Sequence, residues 1–164
     1  MRFDWIDYPG PYRETVEAWL DPEAKRFTGM EEGFSEFYRY WANAPETRLN
    51  ENFWFKVIVQ DSEPIGVIAI ALWEEVFTVS EFFLRPDRRG LGLGSTALRE
   101  LLTQAGTIFG RTVENAQAVI FPGNRASQRA FEKAGFVFES AHPDGDALYY
   151  RYFRNKPVCG KEYV

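Results

Sequence analysis

The sequence has very few of the side chains that bind metals or form disulfide bonds. Cysteine occurs once, as Cys159, and histidine occurs once, as His142. A single cysteine excludes an internal disulfide framework, and one Cys with one His offers no visible cluster of metal ligands. Cys159 is also a weak candidate for a nucleophile, because only one imidazole is available to activate it. We therefore expect no metal site and no cysteine-based catalysis.

Long apolar runs and an excess of positive charge are also lacking. No run approaches the ~20 apolar residues that span a bilayer, and residues 1–5 lack the basic-then-apolar order of a signal peptide. The formal net charge is -5 at pH 7, whereas a nucleic-acid binder needs a basic face to neutralise phosphates. We expect a cytoplasmic protein that binds neither membrane nor nucleic acid and that weakly favours cationic partners.

Aromatic residues, in contrast, are abundant. They make up 17% of the chain, with 15 Phe, 8 Tyr and 5 Trp among 164 residues. Rings dominate core burial, so this content indicates either a well-filled interior or an aromatic-walled pocket. The length fits one domain that covers residues 1–164.

Hydrophobic periodicity and turn residues predict alternating regions of strand and helix. The predicted strands are residues 1–8, 53–60, 64–73, 76–84, 117–121, 136–140 and 147–153. The predicted helices are residues 12–20, 31–41, 94–107 and one from Asn124 to Gly135, and the first of these should stop at Asp21-Pro22. This order predicts an α/β (α+β) fold with a mixed, mostly antiparallel central sheet flanked by helices.

The second predicted helix carries an aromatic stripe on one face. Phe34, Phe37, Tyr38 and Trp41 fall at positions i, i+3, i+4 and i+7. Such a stripe is more often part of the core than the wall of a ligand site, and we interpret it in that way.

A glycine-rich segment connects the third long strand to the next helix. Gly90, Gly92 and Gly94 alternate between Arg88-Arg89 and Ser95. Glycine lets the backbone approach a ligand and adopt positive φ, and the free N–H groups at a helix N-terminus suit a phosphate or pyrophosphate. A nucleotide P-loop would need Lys after the last glycine, and the spacing differs from the dinucleotide-binding fingerprint. The remaining interpretation is a strand-to-helix turn that binds no ligand. It is disfavoured, because each of the three glycines costs about 1 kcal/mol of chain entropy relative to alanine.

Two motifs that follow one another along the chain resemble those of the GNAT superfamily of N-acetyltransferases. The first is Arg89-x-x-Gly92-x-Gly94, and the second is Asn124-x-x-Ser127-x-x-x-Phe131-Glu132-Lys133-Ala134-Gly135-Phe136. The resemblance is specific over residues 64–138 and loose over the N-terminal third. It implies a GNAT-like fold with a splayed strand pair and acetyl-CoA as co-substrate.

The resemblance also implies which residues bind the cofactor. The pyrophosphate would be wrapped by backbone N–H groups of Arg89, Gly90, Leu91, Gly92, Leu93, Gly94 and Ser95. The pantetheine arm would pair with the strand end formed by Phe82, Phe83 and Leu84, and Asn124, Ser127, Phe131 and Lys133 would line the cofactor from the helix. Asn124 could equally serve as the helix N-cap.

The acid and base that many family members use are missing. Phe131 stands where many members carry a tyrosine that protonates the leaving thiolate, and Val119 and Thr78 stand where some carry carboxylates. Glu81 is a candidate base if a bulge turns it inward. Tyr149 or Tyr150, which alternation sends to opposite faces, could donate a proton, and His142 is more readily interpreted as a loop residue.

The acceptor is the least determined part of the prediction. An N-acetyltransferase of this kind would acetylate a small-molecule amine, aminoglycoside-like or polyamine-like, or a protein N-terminus. The acidic balance, with Glu31, Glu32, Glu74 and Glu75, suits the former, and the segment at residues 26–29 resembles the branch that acetylates ribosomal proteins. The alternative is a non-catalytic acyl-CoA-binding sensor or interaction module. The resemblance also allows a homodimer.

Overall fold

The computed structural model describes residues 2–28, 30 and 32–155. Its strands are β1 (Asp4–Asp7), β2 (Phe53–Gln60), β3 (Glu63–Trp73), β4 (Val76–Leu84), β5 (Asn115–Ile120), β6 (Val137–Ala141) and β7 (Leu148–Phe153). Its α-helices are α1 (Arg13–Glu17), α2 (Pro22–Thr28), α3 (Phe34–Asn43), α4 (Leu93–Thr103), α5 (Ala105–Phe109) and α6 (Arg125–Lys133). A short 3-10 turn, Gly10–Tyr12, precedes α1. Another, Pro86–Arg88, precedes the segment that contains Gly90, Gly92 and Gly94, which we call the glycine-rich loop.

All seven strands form one sheet in the order β1-β2-β3-β4-β5-β7-β6. Every neighbouring pair is antiparallel except β4 and β5, which run parallel. The β2–β3 and β3–β4 hairpins close through tight turns in which non-glycine residues adopt positive φ, among them Glu74 and Glu75. The predicted mixed, mostly antiparallel sheet is confirmed.

One face of the sheet is covered by α1, α2 and α3. Phe34, which is fully buried, meets the rings of Phe55 and Phe83, and Trp41 stacks on Phe53 at 5.4 Å. Burying a side chain of this size contributes about 1.5–3 kcal/mol relative to leaving it exposed. The aromatic stripe of α3 therefore belongs to the core, as predicted.

The opposite face is covered by α4, α5 and α6. Ala97, Leu98, Leu101 and Leu102 of α4 are all buried, and Phe109 of α5 lies 5.3 Å from Trp54. Because helices cover both faces, every residue of β2 except the last is buried. Within the described ranges, no helix combines the length and apolar character needed to cross a membrane.

Two of the predicted helices differ from those observed. The first helix ends before Asp21-Pro22, already at Glu17, and the same pair starts an additional helix, α2, where Asp21 Oδ1 accepts a hydrogen bond from Ala24 N at 2.7 Å. An aspartate N-cap followed by proline at the first helical position favours initiation. The predicted helix 94–107 is divided into α4 and α5 at Gln104, and this bend lets Ala105 and Phe109 enter the core.

The parallel pair β4–β5 opens into a cleft. Its register covers only Phe77, Thr78 and Val79 opposite residues 116–118. Beyond Val79 the edge of β4 that faces β5 has no strand partner among the described residues, so the two strands diverge. The splayed pair that the sequence predicts is therefore present, and it positions the candidate site.

Candidate active site

A cavity of about 840 Å³ occupies the gap where β4 and β5 diverge. Its walls come from the end of β4, the glycine-rich loop, the end of β5, α6, the start of α2 and the β6–β7 connection. A volume of this size suits an extended organic ligand. All of the strand residues predicted to pair with the pantetheine arm line it, namely Phe82, Phe83 and Leu84.

The glycine-rich loop forms one wall of this cavity and leads into the first turn of α4. Gly90 and Gly92 have φ values of +75° and +77°, a conformation that side chains other than glycine rarely adopt. No atom lies within 4 Å of where a Cβ would be at either residue, so the backbone faces open space. The free N–H groups of the first turn of α4 are therefore accessible to an anion.

The side chains of two leucines in this segment do not line the cavity. Leu91 is 67% exposed and lies outside the cavity lining. Leu93 packs into the core on the α4 face of the sheet. Ser95 does line the cavity, but its Oγ donates to the carbonyl of Gly92 at 3.2 Å. The resemblance implies backbone N–H contacts at residues 89–95, which do not depend on these side chains.

The arginines before the glycines are already engaged within the protein. Arg88 forms an ion pair with Glu63 at 2.8 Å and does not line the cavity. Arg89 does line it, but its guanidinium lies 4.7 Å from the centre of the Phe83 ring and its Nε donates to the Leu84 carbonyl. Arg89 thus supports the strand end as well as bordering the cavity.

A β-bulge in β4 determines the direction of Glu81. Ala69 pairs with Glu81 and Ile70 pairs with Val79, which leaves Ser80 as the extra residue. Val79 packs on the α4 side, so regular alternation would send Glu81 there as well. The bulge instead places Glu81 opposite Ala69, which belongs to the core beneath α1–α3.

Glu81 lines the cavity, and its carboxyl group is incompletely solvated. Burial raises the pKa of this carboxyl well above its ordinary value, because desolvation disfavours the charged form. A carboxylate with a raised pKa is a stronger base than an exposed glutamate. Glu81, one of the two predicted catalytic residues, therefore lines the cavity.

Tyr149 does not line the cavity. It lies on β7 opposite Val119 of β5, with its ring 6.5 Å from the imidazole of His142. Tyr150 faces the core and donates a hydrogen bond to Glu132, and burial together with this bond raises its pKa. Neither of these two tyrosines therefore lines the cavity.

Helix α6 presents its N-terminus and one side to the cavity. Asn124 Oδ1 accepts a hydrogen bond from Ser127 N at 3.1 Å, so Asn124 is the N-cap. Phe131 is buried between Phe82 and Phe136, at 5.7 and 5.0 Å between ring centres, yet part of it reaches the cavity wall. Ser127 and Lys133 line the cavity too.

Sequence reasoning missed several charged residues that the fold brings to the cavity. Asp21 and Glu23 come from the start of α2, and Asp146 comes from the β6–β7 connection. Arg125 and Arg129 come from α6. The signal for the first pair was the Asp21-Pro22 sequence, interpreted as a helix end rather than a start.

One group of side chains that could ligate a metal comes together in the described part of the chain. His142, Asp144 and Asp146 bring one ligand atom each within 4.8 Å of the others. The imidazole Nδ1 lies 3.1 Å from Asp146 and accepts a hydrogen bond from the backbone N–H of Asp144. These contacts account for the group as an ordered turn.

Apart from Arg89 and Asp146, the charged residues that line the cavity are divided by the sheet. Asp21 and Glu23 lie at the start of α2, which covers one face, and Glu81 points to that same face. Arg125, Arg129 and Lys133 belong to α6, which covers the other face. The cavity therefore joins an acidic region to a basic region through the gap between β4 and β5.

Comparison with known proteins agrees with this geometry. The family model of the acetyltransferase (GNAT) domain matches residues 9–137. The chain therefore belongs to the GNAT acetyltransferase family, which confirms the predicted fold and acetyl-CoA as co-substrate. No curated protein is significantly similar to the chain in sequence.

Solved structures with the same fold include several acetyltransferases. The aminoglycoside acetyltransferase AAC(6')-Ib in complex with coenzyme A superimposes with a TM-score of 0.71 at 22% identity, covering 93% of this chain and 95% of that chain. An acetyltransferase from Thermus thermophilus gives 0.70 at 21% identity, with 93% and 97% covered. The Campylobacter jejuni N-acetyltransferase PseH in complex with acetyl coenzyme A gives 0.65 at 15%, with 94% and 100% covered.

Proposed function

We propose that the protein is an N-acetyltransferase that moves the acetyl group of acetyl-CoA to a primary amine of a small, cationic molecule. The observation that carries this proposal is the position of Glu81, which enters the cavity from the acidic side while the glycine-rich loop borders the same cavity. Donor and acceptor would then meet in the gap between β4 and β5.

The residues present fit acetyl-CoA. Backbone N–H groups at residues 90–95 would hold the pyrophosphate, because glycine leaves them uncovered and the dipole of α4 favours an anion. The unpaired edge of β4 at residues 80–84 would bind the amide groups of the pantetheine arm. Asn124 and Ser127 would line the arm from α6.

Glu81 is the proposed proton acceptor. The amine nitrogen forms a bond to the acetyl carbon, the carbon–sulfur bond breaks, and the proton released from nitrogen passes to the Glu81 carboxylate. The leaving thiolate takes a proton from water, because Phe131 has none to give and Tyr149 does not line the cavity. The hydroxide that forms is neutralised by the proton that Glu81 accepted, which restores the carboxylate. Holding the two reactants together supplies much of the rate enhancement.

The acidic side of the cavity supports a cationic acceptor. Asp21, Glu23 and Asp146 lie at its wall in addition to Glu81, and carboxylates attract ammonium groups most strongly where water is excluded. Among the similar structures, AAC(6')-Ib has been crystallised with coenzyme A and kanamycin. An aminoglycoside-like or polyamine-like acceptor is thus favoured over a peptide N-terminus, and residue 29 of the segment that suggested a peptide lies outside the described residues.

The test of the loop is Gly92→Glu with Gly110→Glu as its control. Both glycines have positive φ, +77° and +72°, and neither has an atom within 4 Å of its Cβ position. Both substitutions therefore cost about the same, on the order of 1–2 kcal/mol of backbone strain, but only Gly92 lines the cavity. Calorimetric titration with acetyl-CoA should show binding to the Gly110 variant and none to the Gly92 variant.

Equal affinity of the two variants for acetyl-CoA would show that the loop does not hold the cofactor. Binding without turnover against any amine would favour the alternative, a non-catalytic acyl-CoA-binding module, for which the buried phenyl ring of Phe131 is the supporting observation.

A further inference from the structure

Helix α6 carries a row of cations along the cavity wall. Arg125, Arg129 and Lys133 occupy positions i, i+4 and i+8, and all three line the cavity. Residues at this spacing share one side of a helix, and the row extends over about 12 Å at a rise of 1.5 Å per residue. We call these three residues the α6 cation row.

No carboxylate neutralises this row in the described part of the chain. None of the observed ion pairs includes Arg125, Arg129 or Lys133. On the other side of the glycine-rich loop, Arg85 and Arg88 are paired with Glu63, and Arg85 also with Asp87. In a protein whose net charge is -5, three uncompensated cations facing one cavity indicate an anionic ligand.

The row lies directly beside the glycine-rich loop. A methyl group on Gly94 would lie 3.5 Å from Ala130 Cβ, so the first turn of α4 touches α6 at the residue that follows Arg129. The guanidinium of Arg99 on α4 donates to the Lys133 carbonyl at 2.9 Å, which ties the two helices together again. An anion beside the loop is therefore within reach of Arg129 and Lys133.

We propose that the α6 cation row binds the ribose 3′-phosphate of coenzyme A and makes the protein select acetyl-CoA over its dephosphorylated form. This inference rests on the proposed function. The pyrophosphate is matched by neutral backbone donors of the loop, whereas a phosphate monoester carries nearly two charges and is best held by Arg and Lys. Arg129 and Lys133, at the end of the row beside the loop, supply those cations.

The test compares coenzyme A with 3′-dephospho-coenzyme A by calorimetric titration of the full chain. We expect the wild type to bind coenzyme A at least about tenfold more tightly, since each charge-assisted hydrogen bond contributes that order. The triple variant Arg125→Gln, Arg129→Gln, Lys133→Gln should bind both ligands equally, with about the affinity of the wild type for the dephosphorylated one. Glutamine retains the helix propensity of the residues it replaces.

Two further variants separate the alternatives. Arg111→Gln removes an exposed cation that does not line the cavity and should leave the tenfold preference unchanged. The single change Arg129→Gln should reduce the preference even if the triple variant does not fold.

Equal affinity of the wild type for the two ligands would overturn this inference and leave acetyl-CoA binding intact. A triple variant that weakens both ligands in parallel and keeps the preference would overturn it as well. If the wild type binds neither ligand, the proposed function fails and this inference fails with it.

Discussion

The direction and the pKa of the Glu81 carboxyl both depend on one irregularity in the backbone of β4. The extra residue Ser80 reverses the alternation of β4 and sends the carboxyl toward the acidic side of the cavity, opposite Ala69. There desolvation raises its pKa well above the ordinary value. The group is then neutral at low pH and becomes a base only as the pH approaches the raised value.

Replacing Glu81 with glutamine should remove this base and its pH dependence together. We expect kcat to fall by about 10²- to 10⁴-fold, the usual contribution of a positioned base. The decline of the wild-type rate on the acidic side should be absent in the residual rate of Glu81→Gln. Steady-state kinetics across pH measures both effects, and Glu114→Gln, an exposed carboxylate outside the cavity, is the matched control.

The same substitution should affect stability with a defined sign. Because the folded-state pKa is raised, the stability that Glu81 contributes is present below its unfolded value and is lost as the pH rises through the folded value. Glu81→Gln should therefore raise the unfolding temperature relative to wild type at about pH 8 and not at about pH 4. A variant less stable than wild type at the higher pH would contradict the assigned cause.

At the scale of elements, α6 combines a structural cap with the cavity wall. The Asn124 oxygen is engaged by Ser127 N, whereas its amide N–H groups can serve a ligand. Asn124 thus determines where α6 begins and also offers amide N–H donors to a ligand in the cavity.

Two substitutions at Asn124 separate these roles. Asn124→Ala removes the cap and should lower the free energy of unfolding by about 1 kcal/mol, whereas Asn124→Ser retains a capping oxygen and should cost less. If Asn124 also contacts the cofactor arm, both variants should bind acetyl-CoA more weakly. Urea unfolding and calorimetric titration measure the two effects, and wild-type affinity in Asn124→Ser would limit the residue to its cap.

How far the sequence predicts these elements depends on whether their signals are local. The glycine-rich loop and the Asn124 cap were predictable because φ preference and capping act over a few residues. The start of α2 was local too, but Asp21-Pro22 fits a helix end as readily as a beginning. The bulge at Ser80 was not predictable, because it depends on the register against β3.

At the scale of the whole molecule, the sheet separates two kinds of charge and the cavity connects them. Residues distant in sequence, such as Asp21, Glu81 and Asp146, meet at the cavity only through the tertiary fold. Composition predicted a cationic partner in general but could not locate it, because surface carboxylates elsewhere carry the same charge. The helices on the two faces of the sheet bring charged side chains to the cavity, and the net charge alone does not predict this placement.

The central claim is that acetyl-CoA and a cationic amine react in this cavity. The most direct measurement is the release of free thiol from acetyl-CoA with a panel of aminoglycosides, polyamines, amino acids and short peptides. We predict release with aminoglycosides or polyamines, and loss of that release in Gly92→Glu but not in Gly110→Glu. No release with any amine, or equal release by wild type and Gly92→Glu, would contradict the account.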